Sequence, residues 1–99
     1  DKKWRANWIP SGFSMSEQSK ELMLTSRIPV EHLVYSDGLA MVSIYVEKLD
    51  KQPDIVVGAS NFGGINTYDV YTNGYQVTAV GEVPKITVKL MADSVEPYQ

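Results

Sequence analysis

The sequence contains no cysteine and a single histidine, His32, among 99 residues. The first absence excludes disulfides and thiolate metal sites, so the fold has to rest on burial alone. It leaves the redox compartment open, because cysteine-free chains occur in every compartment. The second absence leaves a nucleophilic triad only one base to use. In the pairing derived below, His32 faces Ser43 mid-strand with no acidic group on its face to orient it. One histidine also leaves carboxylates alone to complete a transition-metal site, a poor ligand set for such an ion. No apolar run approaches the roughly 18 residues that span a bilayer, and no charged, apolar and small-residue series marks a signal peptide.

Basic residues are also few. Nine Lys and Arg against twelve Asp and Glu give a net charge of −3, and the nine are scattered. A phosphate backbone needs clustered cations, which excludes nucleic acid as the main partner. The segment Gly58-Ala59-Ser60-Asn61-Phe62-Gly63-Gly64 is glycine-rich. It lacks the Lys-Ser or Lys-Thr ending of a phosphate loop and the helix that should follow, so it reads as a turn or β-bulge. The twelve carboxylates show no spacing that gathers two of them in an apolar pocket, which assigns them to a solvated surface. Nothing in the chain assembles a reaction centre, and no cofactor is implied.

What is present is enough for one core. Residues 1–99 fit one domain, and a chain of this length buries roughly 60 to 70% of its unfolded surface. The apolar content of 43% supports that without staples. The chain begins at Asp1 in a polar Asp1-Lys2-Lys3 stretch. That start reads as a piece cut from a longer precursor whose earlier part holds any targeting signal, with an expression remnant as the plain alternative.

Asn73-Gly74, between the runs Ile65 to Thr72 and Tyr75 to Val80, predicts a type I′ hairpin turn, since both residues tolerate positive φ. A two-residue loop fixes the register. Thr72 then faces Tyr75, Val70 faces Val77 and Tyr68 faces Ala79 on the core side; Tyr71, Asp69 and Thr67 face Gln76, Thr78 and Val80 on the other. A slip of one residue would bury Asp69 and expose Val70 and Val77. Asp37-Gly38 predicts a second hairpin by the same rule, joining Glu31 to Ser36 with Leu39 to Glu47. One face then pairs Tyr35 with Ala40 and Leu33 with Val42, followed by Ile44. The opposite face pairs Val34 with Met41 and His32 with Ser43, and adds Leu39 and Tyr45. Both faces are partly apolar, so either a helix covers one and a partner the other, or the strand pair is buried on both sides.

Trp4 to Ile9 and Phe13 to Ser19 flank Pro10-Ser11-Gly12, which reads as a turn between two further strands. Lys48 to Gly64 reads as a loop with one short strand, Ile55 to Val57. Gly81-Glu82-Val83-Pro84 leads out of the last strand, and Pro84 opens a helix running to about Ser94. Val83, Ile86 and Leu90, widened by Met91, form its predicted core stripe, with Lys85 and Lys89 pointing away. Three β-branched residues, Ile86, Thr87 and Val88, lower its intrinsic propensity, so packing must hold it. The expected fold class is α+β: an antiparallel sheet of about five to six strands, built from consecutive hairpins and packed against one C-terminal helix.

Three stretches carry a family resemblance: Trp8-Ile9-Pro10-Ser11-Gly12-Phe13, then Tyr35-Ser36-Asp37-Gly38-Leu39-Ala40 running into Ser43-Ile44-Tyr45-Val46-Glu47, and Val77-Thr78-Ala79-Val80-Gly81-Glu82-Val83-Pro84 with the helix after it. In this order and spacing the chain resembles the C-terminal domain of the RseB/MucB family of periplasmic sigma-E regulators; Leu49 to Gly64 contributes little. The resemblance implies a larger lipoprotein-carrier-like N-terminal domain that is not in this sequence. It also implies a non-catalytic negative regulator of the envelope stress response. That regulator binds the periplasmic region of the anti-sigma factor RseA or MucA and shields it from proteolysis, with lipid or lipopolysaccharide signals releasing the grip. An alternative within the same family is a lipid- or lipopolysaccharide-sensing role for this domain itself.

The residues, and not the family, nominate a contact surface. It is the less polar outer face of the second hairpin, Val34, Leu39, Met41 and Tyr45, or else an exposed strand edge that accepts an extended peptide. Asp37, Gly38, Asn73, Gly74, Gly81 and Pro84 are assigned to turns and helix entry.

Overall fold

The computed structural model describes residues 3–22, 29–54, 56 and 58–98. In chain order the elements are β1 Trp4–Ala6, β2 Ser14–Leu22, β3 Pro29–Ser36, β4 Met41–Lys48, β5 Ala59–Phe62, β6 Ile65–Thr72, β7 Tyr75–Gly81, α1 Lys85–Asp93 and β8 Val95–Pro97. Six strands form one antiparallel sheet in the order β2-β3-β4-β7-β6-β5, and β1 pairs with β8 in a separate two-stranded sheet. The expected α+β class holds. Two meanders, β2-β3-β4 and β5-β6-β7, are sewn together where β4 meets β7. One face of this seam makes the core: Leu33, Tyr35, Val42, Ile44, Val46, Val77 and Ala79 pack with Val88, Met91 and Ala92 of α1 and with Trp4 and Ala6 of β1. Burying each large apolar side chain among them contributes about 1.5–3 kcal/mol.

The Asn73-Gly74 hairpin pairs as the turn chemistry predicts. Asn73 and Gly74 have φ of 51° and 85°, and Thr72 faces Tyr75, Val70 faces Val77 and Tyr68 faces Ala79. The second hairpin differs by two residues of register. Ser36 pairs with Met41, Tyr35 with Val42, Leu33 with Ile44, Val34 with Ser43 and His32 with Tyr45. Its loop is therefore four residues, Asp37 to Ala40. A type I′ turn needs positive φ at both centres, and here only Gly38, at 95°, has it. Because the shift is even, every side chain still within β3 and β4 keeps its predicted face, while Leu39 and Ala40 move into the loop.

Other elements differ in detail. Pro10-Ser11-Gly12 does separate two strands, but the first shortens to β1, Trp4–Ala6, and does not pair with β2, although the Gln18 side-chain amide donates to the Trp4 carbonyl at 3.5 Å. β1 instead finds β8, a partner far along the chain, and its Ala6 N–H donates to the buried Tyr35 hydroxyl at 2.8 Å. The short strand expected at Ile55 to Val57 falls on Ile55 and Val57, which lie outside the described residues; within the same segment the structure has β5, Ala59–Phe62, with Gly63-Gly64 as its turn. Most of the glycine-rich segment is thus a strand, not a bulge. The helix keeps its predicted span, but its face is turned. Val88, Met91 and Ala92 are buried, whereas Ile86 and Leu90 are 57% and 40% exposed. Two apolar stripes compete on α1, and the one containing small Ala92 lets the helix approach β6 and β7 closely.

Candidate protein-interaction site

The β3–β4 loop is held by its own side chains. The Asp37 carboxylate accepts the Leu39 and Ala40 N–H groups at 2.9 and 2.8 Å. Those two bonds, Ala40's foremost, hold its carboxyl below the ordinary aspartate value. The Ser36 hydroxyl accepts the Gly38 N–H at 3.0 Å and donates to the Ala40 carbonyl at 2.9 Å. With the backbone bonded from beneath, Leu39 is left at the tip, 99% exposed. Met41, the first residue of β4, is 57% exposed on the outer face.

The predicted quartet does not form one exposed patch. Val34 is buried at 3% exposure. Tyr45 is half-buried and stacks on His32 with ring centroids 4.4 Å apart and planes 8° from parallel. β3 is thus buried on both faces, through Leu33 and Tyr35 on one and Val30 and Val34 on the other. β4 is buried only on the core side. His32 and Ser43, opposite one another in the predicted pairing, are offset in the structure.

At the Leu39 end the sheet exposes two residues not nominated from sequence, Phe62 and Ile65. Met41 opens β4 and Ile65 opens β6, both beside the Gly81 end of β7, and Phe62 pairs with Ile65. Alternation puts Met41, Ile65 and Phe62 on the same outer face. The signal available in the sequence was a Gly63-Gly64 turn with bare apolar flanks. Gly81 is fixed here by proximity: a Cβ on it would lie 2.7 Å from the Met41 carbonyl oxygen. Further along the outer face, Val30, Tyr45, Glu47 and Thr78 line an open depression of about 450 Å³. The main sheet ends in β2 on one side and β5 on the other. β2 is polar and carries an irregularity between Met15 and Glu17, devices that blunt an edge.

Chemically, such a surface can hold another chain by apolar contact. Among the described residues no helix is long and apolar enough to cross a membrane, and no group of three or more His, Cys, Asp and Glu is placed to hold a metal ion. The fold is that of a small sheet-and-helix domain with exposed apolar side chains at one end of its sheet. The chain belongs to the MucB/RseB C-terminal domain family, whose model matches residues 1–96. Similar proteins include the sigma-E factor regulatory protein RseB of Salmonella typhimurium, 31% identical over 94% of this chain and 29% of that protein. The sigma factor AlgU regulatory protein MucB of Pseudomonas aeruginosa is 33% identical over 95% of this chain and 31% of its own length. The chain therefore spans about a third of its relatives. Its fold matches MucB in the Pseudomonas aeruginosa MucA/MucB complex with a TM-score of 0.83 and 32% identity, over 97% of this chain and 35% of that one. It matches MucB in complex with MucA(peri) at 0.82, over 97% and 36%, with the same identity.

Proposed function

We propose that this domain is the C-terminal module of a periplasmic regulator that holds the periplasmic region of an anti-sigma factor of the RseA/MucA kind and occludes it from protease. The observation that carries this reading is the 32% identity to MucB in a structure where MucB is bound to MucA(peri). Regulation is by occlusion: a held segment cannot enter a protease site. A releasing ligand shifts that equilibrium only by its differential affinity for the two states. Within the module, the contact we assign is the apolar outer end, Leu39 and Met41 with Phe62 and Ile65. Tyr45 lies along the same face, as does Val34, which is buried there.

The test is a pull-down of the anti-sigma periplasmic region by this domain and by the full-length protein, each beside Leu39→Asp/Met41→Asp. Capture that the double variant loses while melting normally supports the contact. Unchanged capture removes it, and no capture by either protein removes the reading. The depression at Val30, Tyr45, Glu47 and Thr78 favours a second reading, lipid or lipopolysaccharide sensing by this domain. Saturable binding of lipopolysaccharide to the isolated domain, weakened by Tyr45→Ala, would establish it.

A further inference from the structure

The outer face of the main sheet carries negative charge and, among the described residues, no Lys or Arg. Strand pairing and alternation place Glu17, Glu47 and Asp69 on it. Asp69 is engaged within the sheet, since the Thr78 hydroxyl donates to it. Glu47 is not: half-buried, it lines the open depression with Val30, Tyr45 and Thr78, and no described cation pairs with it.

The walls around Glu47 are apolar. Val30 is 4% exposed, and the Tyr45 ring is fixed by its stack on His32. A carboxylate set against an aliphatic side chain and a phenol ring loses part of its hydration. A cation on an aliphatic stem suits such a place, because the stem lies on the apolar walls while the charged head reaches the oxygens. The phosphates of a lipopolysaccharide bring the wrong sign to the same spot.

The depression also lies in line with the apolar end of the face. Met41, Ser43, Tyr45 and Glu47 follow one another along the outer side of β4, so Met41 and Glu47 are roughly 20 Å apart on one strand. A polypeptide crosses that distance in about six residues when extended and about thirteen when helical. Resting on the reading that this face holds an anti-sigma segment, we propose that the segment is two-ended. An apolar side chain meets Leu39 and Met41, and a Lys or Arg side chain one such interval away enters the depression and pairs with Glu47. Glu47 is thereby a specificity residue, favouring segments that carry the cation at the right spacing.

The test is a double-mutant cycle on the Kd of the fluorescently labelled anti-sigma periplasmic region, read by anisotropy. One side compares the unaltered protein with Glu47→Gln; the other compares the unaltered region with a panel in which each Lys and Arg is changed singly to Gln. Glu47→Gln should weaken binding about fivefold, less at high salt, and one member of the panel should show the same loss. Combining the two should add nothing further. That basic residue should stand about six or about thirteen residues from the apolar residue that couples in the same way to Met41→Asp. The panel uses the unaltered protein, so it decides the matter even where a variant folds poorly. Unaltered affinity in Glu47→Gln, a panel without any loss, or a coupled cation at neither spacing overturns the proposal and leaves the anti-sigma reading in place. Absence of binding by the unaltered protein overturns both. Lipopolysaccharide that competes with the region and binds Glu47→Gln more tightly assigns the depression to an acyl chain, and likewise overturns the proposal.

Discussion

The two Xaa-Gly turns of this domain begin from nearly the same dipeptide and end as different structures. At Asn73-Gly74 both residues enter the left-handed region, and the chain reverses in two residues. At Asp37-Gly38 only the glycine does, and the carboxylate takes two backbone N–H groups instead. Asn tolerates positive φ as a backbone residue, whereas ionised Asp is most useful as an acceptor. The first solution reverses the chain in two residues, with Thr72 exposed and Tyr75 half-buried beside it. The second lengthens the loop to four residues and leaves Leu39 in solvent. The tighter turn reverses the chain on its backbone alone, and the looser one leaves a large apolar side chain in solvent.

The comparison breaks most severely where both hairpins depend on one residue. Ile44 is fully buried in β4, paired with Leu33 of one meander and Ala79 of the other. Ile44→Ala should cost about 2–5 kcal/mol, the loss of a large core side chain with incomplete collapse around it. Denaturant unfolding should show one cooperative transition moved to lower concentration. Two separated transitions would mean that the meanders fold independently and that the seam is not what couples them.

A smaller effect sharpens the contrast between the turns. Gly74 and Gly38 have φ of +85° and +95°, and a Cβ at either would meet nothing within 4 Å. Alanine at each position should therefore cost backbone strain alone, about 1–2 kcal/mol. Equal losses in thermal melting would show that the two loops differ only in how they satisfy hydrogen bonds. A much larger loss at Gly38 would show that the four-residue loop has no second arrangement to relax into.

These turns also show what was legible in the sequence. Asn-Gly specified type, register and face together, and the structure follows it in every pair from Thr72–Tyr75 to Thr67–Val80. Asp-Gly specified the faces, because alternation survives an even shift, but not the loop length, which rests on a carboxylate choosing backbone partners. The helix span was legible from Pro84 and the apolar spacing. Its buried face was not, since the Ile86–Leu90 and Val88–Met91–Ala92 stripes are equally periodic and only tertiary packing chooses. The β1–β8 pairing joins residues some ninety positions apart and leaves no local mark at all. At the interaction site, apolar residues were visible in β3 and β4. Which of them reach solvent depended on neighbouring strands: Val34 is covered and Leu39 is not.

The mildest prediction isolates the one feature that sets the looser turn apart. In the folded state two backbone N–H groups favour the ionised form of Asp37, so its carboxyl lies below the ordinary value, while in the unfolded chain those bonds are gone. A depressed folded value means that the contribution is complete above the unfolded aspartate value of about 3.9 and is lost as pH falls through the folded one. Thermal melts of the wild type and Asp37→Ala should accordingly differ by a small constant at neutral pH, the variant being the less stable, and converge in acid below that value. The amide shifts of Leu39 and Ala40 should titrate together over the same acidic range, because both protons point at Asp37 Oδ1. Curves that stay parallel into acid, or amides that ignore the titration, would transfer control of the loop from the carboxylate to Ser36, whose hydroxyl bridges Gly38 and Ala40 without carrying a charge.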